Sequence, residues 1–505
     1  MVKRDWTGAN DQSMYIRPDQ SRQSAVFEHL RGGILTGTLA AHTRLPPTRA
    51  LAAELGVARQ TVVLAYERLA AEGYVHARTG SGTYVAADLP DARPDPARPA
   101  AANTVRLSRR GAALAATPVG AAVGDSTLLA PGIPAPELFP ARAWAACLAQ
   151  ACRATGGAGP GYPAPQGLPE LRAQVAAHLA ATRGVLADPE CILITSGTQH
   201  ALHLAAEVLT DPGDTAWVEN PGYIAGRGAL AAAGVALVPV RSDREGLDVA
   251  AGVAAAPRAR LALVAPSHAT PLGGAMPVGR RLALLDWAAD ADAWVLEDDC
   301  DSEFRWTGKP LPPLATLDRV GRVIYCGTFS KVLAPGLRLG YAVLPRPLVP
   351  AAVRARALLD RGPAIPVQAA TAEFMRRGLL GAHIRRARTE YARRRRAVLD
   401  ALARHCPAVE PLPAPGGLHM ALRLPPDADE AATAREARGR GLNVAPFGAY
   451  HLDAPAFRGL VVGFASTPAP LAADAARRLA ASLMSNAKKT TLLRRNNFLS
   501  RSQSR

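Results

Sequence analysis

Apolar positions along this chain follow different rhythms, and the changes of rhythm mark its parts. From Ser24 to Leu35 they recur at helical spacing, at Val26, Leu30 and Ile34, which predicts a helix ended by Gly37. Leu51, Ala52 and Leu55 share one face of a second helix with Thr48 as its N-cap. Val62, Ala65, Tyr66 and Leu69 form the inner face of a third, from about Arg59 to Glu72, after the turn Gly56-Val57-Ala58. The runs Tyr74-Val75 and Thr83-Tyr84-Val85 predict two short strands. Between 87 and 125 the pattern vanishes. Prolines 90, 94, 96 and 99 break any element and Ala, Arg and Gly dominate, as in a spacer. From about Leu128 near-continuous apolar runs begin: Ile192–Ile194, Ala216–Val218, Leu261–Val264, Trp294–Leu296 and Val323–Tyr325. Unbroken apolar strands separated by helices imply an α/β architecture with a mainly parallel sheet covered on both faces.

Each of those runs is followed at once by unusual polar residues, which therefore collect at the carboxyl edge of the sheet, where open α/β folds bind ligands. Ser196-Gly197-Thr198-Gln199 opens a helix, so its free N–H groups suit a phosphate. Thr328, Ser330 and Arg338 add donors, the arginine in a bidentate geometry. Lys331 beside a phosphate site suits a Schiff base with an aldehyde. Tyr223 could stack on an aromatic ring, and Asp298 could pair with a ring nitrogen and keep it protonated. Together these residues suggest pyridoxal 5′-phosphate held covalently on Lys331. Taken singly, Lys331 reads as a surface lysine, the carboxylates as strand-end caps and Tyr223 as core. Their recurrence after successive strands favours the cofactor.

The front of the chain points to a different chemistry. Arg59, Gln60 and Thr61 open the third helix and face away from its inner side, where the second helix of a helix-turn-helix meets base edges. Arg44, Thr48 and Arg49 lie before and at the start of the preceding helix. The loop around Arg78, Gly80, Ser81 and Gly82 forms a wing with a cation and backbone donors for phosphates. With Tyr66 these are the candidate contacts to a double-stranded DNA operator. The formal charge of +17 is compatible with nucleic acid, although the tail from Lys488 to Arg505 supplies six of the positive charges. Arg385 to Arg396 is strongly basic and reads as a helix with a solvated face. The six cysteines show no CxxC pair and no metal spacing, so they read as reduced thiols and no metal site is expected. No apolar run reaches spanning length and the N-terminal residues lack a signal-peptide core, so a soluble cytoplasmic protein is expected. The expected organisation is an arm at 1–20, a winged helix at 21–86, a linker at 87–125, a ligand-binding domain at 126–485 and a basic disordered tail at 486–505.

Longer motifs carry a family resemblance. Leu45-Pro-Pro-Thr-Arg49, Leu51-Ala-Ala-Glu-Leu-Gly-Val57 and Glu72-Gly-Tyr74 with Gly80-Ser-Gly-Thr-Tyr-Val85 resemble the GntR-type winged helix. Trp294-Val-Leu-Glu-Asp-Asp-Cys-Asp-Ser-Glu-Phe-Arg305 and Gly327-Thr-Phe-Ser-Lys-Val-Leu-Ala-Pro-Gly-Leu-Arg-Leu-Gly-Tyr341 resemble MocR regulators, which join that winged helix to a fold-type I aminotransferase-like domain. The resemblance implies an aldimine on Lys331, Asp298 on the ring nitrogen, Arg338 on the phosphate, and Tyr162 reaching the phosphate of the other subunit in a head-to-tail homodimer. It also places His268 in a cofactor loop.

Three departures qualify it. Val461 stands where the family's carboxylate-clamping arginine is expected, and valine cannot pair with a carboxylate. Cys300 replaces a tyrosine that bonds the cofactor's phenolic oxygen, and a thiol is a weak donor. Ala58 replaces a serine N-cap. The first two argue against amino-acid turnover and imply a regulator that senses the cofactor or an adduct of it, with genes of vitamin B6 metabolism as its expected targets. A working aminotransferase is the alternative, and an architectural DNA binder a third reading.

Overall fold

The structure, a computed structural model, describes residues 21–78, 80–89, 106–117, 128–154, 161–308 and 311–485. The expected arm at 1–20, Thr79 of the wing, most of the expected linker (90–105 and 118–125) and the tail at 486–505 lie outside the described residues. The chain divides into two compact units, 1–106 and 107–505.

In the first unit α1 (Arg22–Leu35), α2 (Thr48–Leu55) and α3 (Arg59–Ala71) precede the hairpin of β1 (Val75–Arg78) and β2 (Gly82–Val85). The hairpin is antiparallel, with Val75 opposite Val85 and Arg78 opposite Gly82. Val26, Phe27, Leu30, Ile34, Leu51, Val62, Ala65 and Leu69 make the core, the positions whose helical spacing predicted it.

Two expectations about this unit are corrected. Pro47, not Thr48, holds the N-cap position of α2, with the Leu51 N–H on the Pro47 carbonyl and no side-chain cap. Proline has no N–H to leave unsatisfied and its ring holds a fixed φ, so the helix starts without a hydroxyl cap. Tyr66 is only 7% exposed, and its hydroxyl donates to the Pro46 carbonyl at 2.8 Å. It ties α3 to the turn before α2 and is a packing residue, because it shares the helix face of Val62, Ala65 and Leu69.

The second unit opens with α4 (Arg109–Ala116), N-capped by the Ser108 hydroxyl, inside the segment expected to be linker. Between Pro99 and Pro118 no proline interrupts the chain, and the alanines there favour helix. Arg110 has partners within the same unit. It donates to the Ala232 carbonyl and lies 3.5 Å from Glu207.

After α5 (Ala141–Ala154) and α6 (Pro169–Arg183) come β3 (Ile192–Thr195), α7 (Thr198–Leu209), β4 (Thr215–Asn220), α8 (Ile224–Ala232), β5 (Ala236–Asp243), β6 (Gly246–Leu247) and α9 (Val249–Ala255). They are followed by β7 (Leu261–Val264), α10 (Val278–Asp290), β8 (Trp294–Asp298), α11 (Leu314–Leu317), β9 (Val323–Thr328) and β10 (Gly340–Val343). The eight strands form one sheet in the order β3-β10-β9-β8-β7-β4-β5-β6. Neighbours from β9 through β5 are parallel, while β10 runs antiparallel to both β3 and β9. The five apolar runs lie within β3, β4, β7, β8 and β9, buried on both faces. On one side Trp217 of β4 stacks on Trp287 of α10 with ring centroids 3.6 Å apart.

The chain then forms α12 (Val349–Leu359), α13 (Ile365–Arg376) and the long α14 (Leu379–His405). A small antiparallel sheet of β11 (Glu410–Pro411), β12 (His419–Arg423), β13 (Ala445–Pro446) and β14 (Gly459–Gly463), with α15 (Glu430–Gly439), completes it. The basic stretch of α14 is helical, as expected, but much of its charge has internal partners. Arg386, Arg388, Arg394 and Arg395 donate to the carbonyls of Leu138, Glu303, Ala465 and Ala414. Guanidiniums bonded to carbonyls in this way act as cross-braces, not as a free basic face.

Candidate functional site

The carboxyl ends of β3, β4, β7, β8 and β9 surround a cavity of about 300 Å³. Lys331 enters it just after β9, and its Nζ donates to the Gly132 carbonyl at 2.6 Å. Gly132 adopts φ +66°, a backbone conformation that favours glycine, and a Cβ there would lie 3.2 Å from that Nζ, so the lysine end would have to give by a few tenths of an ångström.

At the start of α7, Gly197 has φ +116°, and the Arg338 guanidinium lies 3.7–3.9 Å from where its Cβ would be. Gly340 permits this close pairing of strand ends, since a Cβ on it would come within 2.8 Å of the Gly197 Cα. Arg338 itself sits in the left-handed region at φ 48°, a conformation that costs about 1–3 kcal/mol in a non-glycine residue and is held by its surroundings. The Thr198 hydroxyl is buried with no hydrogen-bond partner among the described residues. Free helix N–H groups, an arginine and an orphaned hydroxyl together make an anion cradle.

Asp298 ends β8 in the cavity wall, fully buried, with Oδ1 lacking any partner among the described residues. Burial, reinforced by Asp301 and Asp299, pushes its carboxyl up to about 7, against the opposing pull of Lys331. Its neighbour Asp299 differs: Arg183 Nε lies 2.8 Å away and the Tyr325 hydroxyl donates to it. Asp299 Oδ1 is also unpartnered among the described residues, but of the two only Asp298 lines the cavity, so Asp298 is the acid open to a ligand.

Most residues expected at this site line the cavity: Gly197, Thr198, Gln199, Tyr223, Asp298, Thr328, Ser330, Lys331 and Arg338. Three do not. Ser196 lies outside the lining, its N–H facing His200. Tyr162 is 82% exposed with the Arg361 guanidinium over its ring. His268 is buried behind the wall, its Nδ1 3.1 Å from Asp301 Oδ1 and its ring 4.8 Å from that of His419. Thr270, two residues further on, lines the cavity in its place. Sequence reasoning missed Asp301, His419 and Tyr450. Asp301 was detectable as a further carboxylate after the same strand. Nothing marked His419, a lone histidine after two glycines, or Tyr450, at the end of a short 3-10 turn after β13.

Val461 is fully buried in β14, packed with Ile224, Phe447 and Tyr450. Ile224 and Tyr450 also line the cavity, so where a clamping arginine would stand the wall is apolar. Arg458 is exposed, and Arg227 donates to the carbonyls of Tyr450 and Ala449.

On the winged helix Arg44, Arg49, Arg59, Gln60, Arg78 and Ser81 are exposed, with Gly80 exposed at the hairpin turn. α3 starts at Ala58 with no side-chain cap. The Ser81 and Tyr84 hydroxyls are 2.7 Å apart, and the Arg44 guanidinium packs over Gly82.

Comparisons with known proteins match both parts. Residues 22–85 match the gntR family of bacterial regulatory proteins, and residues 133–478 match aminotransferase class I and II. The probable rhizopine catabolism regulatory protein MocR of Rhizobium meliloti is 38% identical over 443 residues, covering 87% of this chain and 89% of that one. The chain belongs to the MocR group of GntR-type regulators. The pyridoxine biosynthesis transcriptional regulator PdxR of Corynebacterium glutamicum is 34% identical over 446 residues, 87% of this chain and 91% of its own. Among solved structures, the α-aminoadipate aminotransferase LysN of Thermus thermophilus, complexed with N-(5′-phosphopyridoxyl)-L-leucine, is 30% identical with TM-score 0.66, over 72% of this chain and 93% of that one.

This MocR-type chain is therefore a transcriptional regulator with a DNA-binding winged helix and an aminotransferase-like domain. Its cofactor is pyridoxal phosphate, and the cavity fits that molecule: an unpartnered buried carboxylate oxygen for a ring nitrogen, a cradle for a phosphate and an amine for an aldehyde. No helix among the described residues is long and apolar enough to cross a membrane.

Proposed function

We propose that this regulator binds pyridoxal 5′-phosphate at Lys331 and changes its DNA affinity when that cofactor, or a derivative of it, is in place. The observation that carries this reading is the apolar wall at Val461, which keeps the cofactor's apparatus and omits the cation an amino-acid substrate needs. When bound, the cofactor supplies an aldehyde that takes up amines and a ring that draws electrons. Lys331 offers the amine. Asp298 accepts from the ring nitrogen and holds its proton there. The start of α7, Thr198, Ser330 and Arg338 hold the phosphate, and Tyr223 covers a ring face. Arg59, Gln60 and Thr61 read bases, while Arg44, Thr48, Arg49 and the wing at Arg78–Gly82 hold phosphates. The active form is a head-to-tail homodimer in which the exposed Tyr162 reaches the phosphate of a second copy. Resemblance to a regulator of pyridoxine biosynthesis supports vitamin B6 genes as targets.

The test is a titration of the full chain against DNA from upstream of its own gene, with and without pyridoxal phosphate. The apparent affinity or the pattern of complexes should change with the cofactor, and Lys331→Ala should abolish both the visible absorption band and the change. A cofactor-indifferent DNA interaction would end the effector reading, since coupling between sites is what defines it. So would conversion of common amino acids to keto acids at about 1 per second or faster.

A further inference from the structure

Among the described residues two cations line the cavity, Lys331 and Arg338, and the proposed function assigns both to the cofactor. The other side chains that carry charge there are Asp298 and Asp301. Asp301 is fully buried. Burial alone would raise its carboxyl, but His268, at 3.1 Å, with Lys331 outweighs burial and holds it below the usual carboxylate value. It is therefore an anion in the wall. His419 lines the same cavity, and burial first, then His268 and Lys331, drive its pKa down to about 3, so its ring is neutral. Its Nε2 is buried without a hydrogen-bond partner among the described residues. Ile133, Ile224 and Tyr450 complete an apolar surface backed by Val461.

We propose that the cavity admits, beside the cofactor, an amine that carries no acid group, and that Asp301 and Val461 together select it over α-amino acids. This rests on the cofactor-sensing reading above and names the ligand class of the same site. A ligand carboxylate entering the cavity meets the Asp301 anion and finds no unassigned cation. The two nearby arginines offer nothing, Arg227 being bonded to carbonyls and Arg183 to Asp299. An ammonium or an amine with hydroxyl groups meets the Asp301 carboxylate and the free His419 nitrogen instead. At the short separations inside a cavity, exchanging repulsion for attraction is worth well over a tenfold difference in affinity.

The experiment uses the full chain loaded with pyridoxal phosphate and three matched pairs differing by one carboxylate: ethanolamine and serine, putrescine and ornithine, tyramine and tyrosine. Perturbation of the cofactor's visible band and the melting temperature are read against ligand concentration. At least one amine should act at a concentration about tenfold or more below its amino acid, and no amino acid should act below its amine. Asp301→Asn should lose that preference and Val461→Arg should shift it toward the acids. The native-chain comparison stands whether or not either variant folds. No response to any amine, or an amino acid equal to or better than its amine throughout, overturns the proposal. A preference that persists in Asp301→Asn overturns the assignment to that residue. DNA titrations on the same samples separate the two ideas. A chain that discriminates the pairs while its DNA affinity ignores the cofactor refutes the effector reading alone. A chain whose DNA affinity follows the cofactor without discrimination refutes this proposal alone. A chain that takes up no cofactor refutes both.

Discussion

Replacing Asp298 by Asn should stabilise the cofactor-free protein at alkaline pH and weaken cofactor binding. Burial raises this carboxyl from 3.8 to about 7. Because the folded value lies above the unfolded one, the folded state holds the proton more tightly, and stability falls as pH rises between the two. Below the unfolded value the carboxyl is neutral in both states and costs nothing. Above the folded value the full penalty applies. At about 1.36 kcal/mol per tenfold change in proton activity, it is at most about 4 kcal/mol at pH 8 and about 2 kcal/mol at pH 5. Asn removes that penalty but brings an amide N–H₂ into the same burial, which costs about 1–3 kcal/mol if it finds no acceptor. The net gain at pH 8 is then about 1–3 kcal/mol. For a unit of about 400 residues that is roughly 1–4 °C in melting midpoint. The gain should shrink at pH 5 and reverse at lower pH.

With the cofactor present the sign reverses, because Asn gives up a charged acceptor for the ring nitrogen. A loss of about 1.5–3 kcal/mol corresponds to about 10–150-fold weaker binding. Calorimetric melting at pH 8 and pH 5, with and without cofactor, reads all four quantities. If the variant were no more stable than the native chain at pH 8, or bound the cofactor equally well, Asp298 would not be the buried, ligand-seeking acid described above.

Two further changes test the winged helix. Ala58→Ser should place a hydroxyl cap on α3, add about 1 kcal/mol and raise the melting transition of that unit by about 4–8 °C. An unchanged transition would show that the missing cap carries no stability. Tyr66→Phe removes the 2.8 Å bond to Pro46 and should lower the same transition by a similar amount, about 1 kcal/mol. Its DNA affinity, measured well below the midpoint, should stay within about twofold, and a larger drop would restore Tyr66 as a DNA contact.

The legible parts of this protein were those where consecutive residues do the work. Strands buried on both faces announce themselves as unbroken apolar runs, and the polar groups that follow them, from Thr198 to Arg338, reach the cavity because parallel strands all deliver their carboxyl ends to one edge. Errors arose where a residue's role depends on which way it faces. Thr48 fits an N-cap by type, yet Pro47 takes the place. His268 fits a cofactor loop by position, yet the chain turns it behind the wall and presents Thr270. The helix α4 was concealed by a composition that suits a spacer and a helix equally well.

By itself the sequence determined the two units, the strand-helix alternation, and the presence of lysine, aspartate and arginine with no clamping arginine at residue 461. The first two follow from local periodicity and residue chemistry, which need no knowledge of the rest of the chain, and the absence at residue 461 follows from the family resemblance. Only the tertiary structure decided which of two adjacent aspartates stays open. Arg183 and Tyr325 lie 116 residues before and 26 after Asp299, and they hold its Oδ2 outside the cavity while Asp298 lines it. It also decided that His419 and Tyr450, from beyond the main sheet, complete the cavity, and that Val461 packs behind Ile224 and Tyr450 of its wall. Burial and partnership depend on distant segments brought together by packing, and they fix a side chain's charge and availability. That is why the kinds of groups were readable in order along the chain, while their assignments had to wait for the fold.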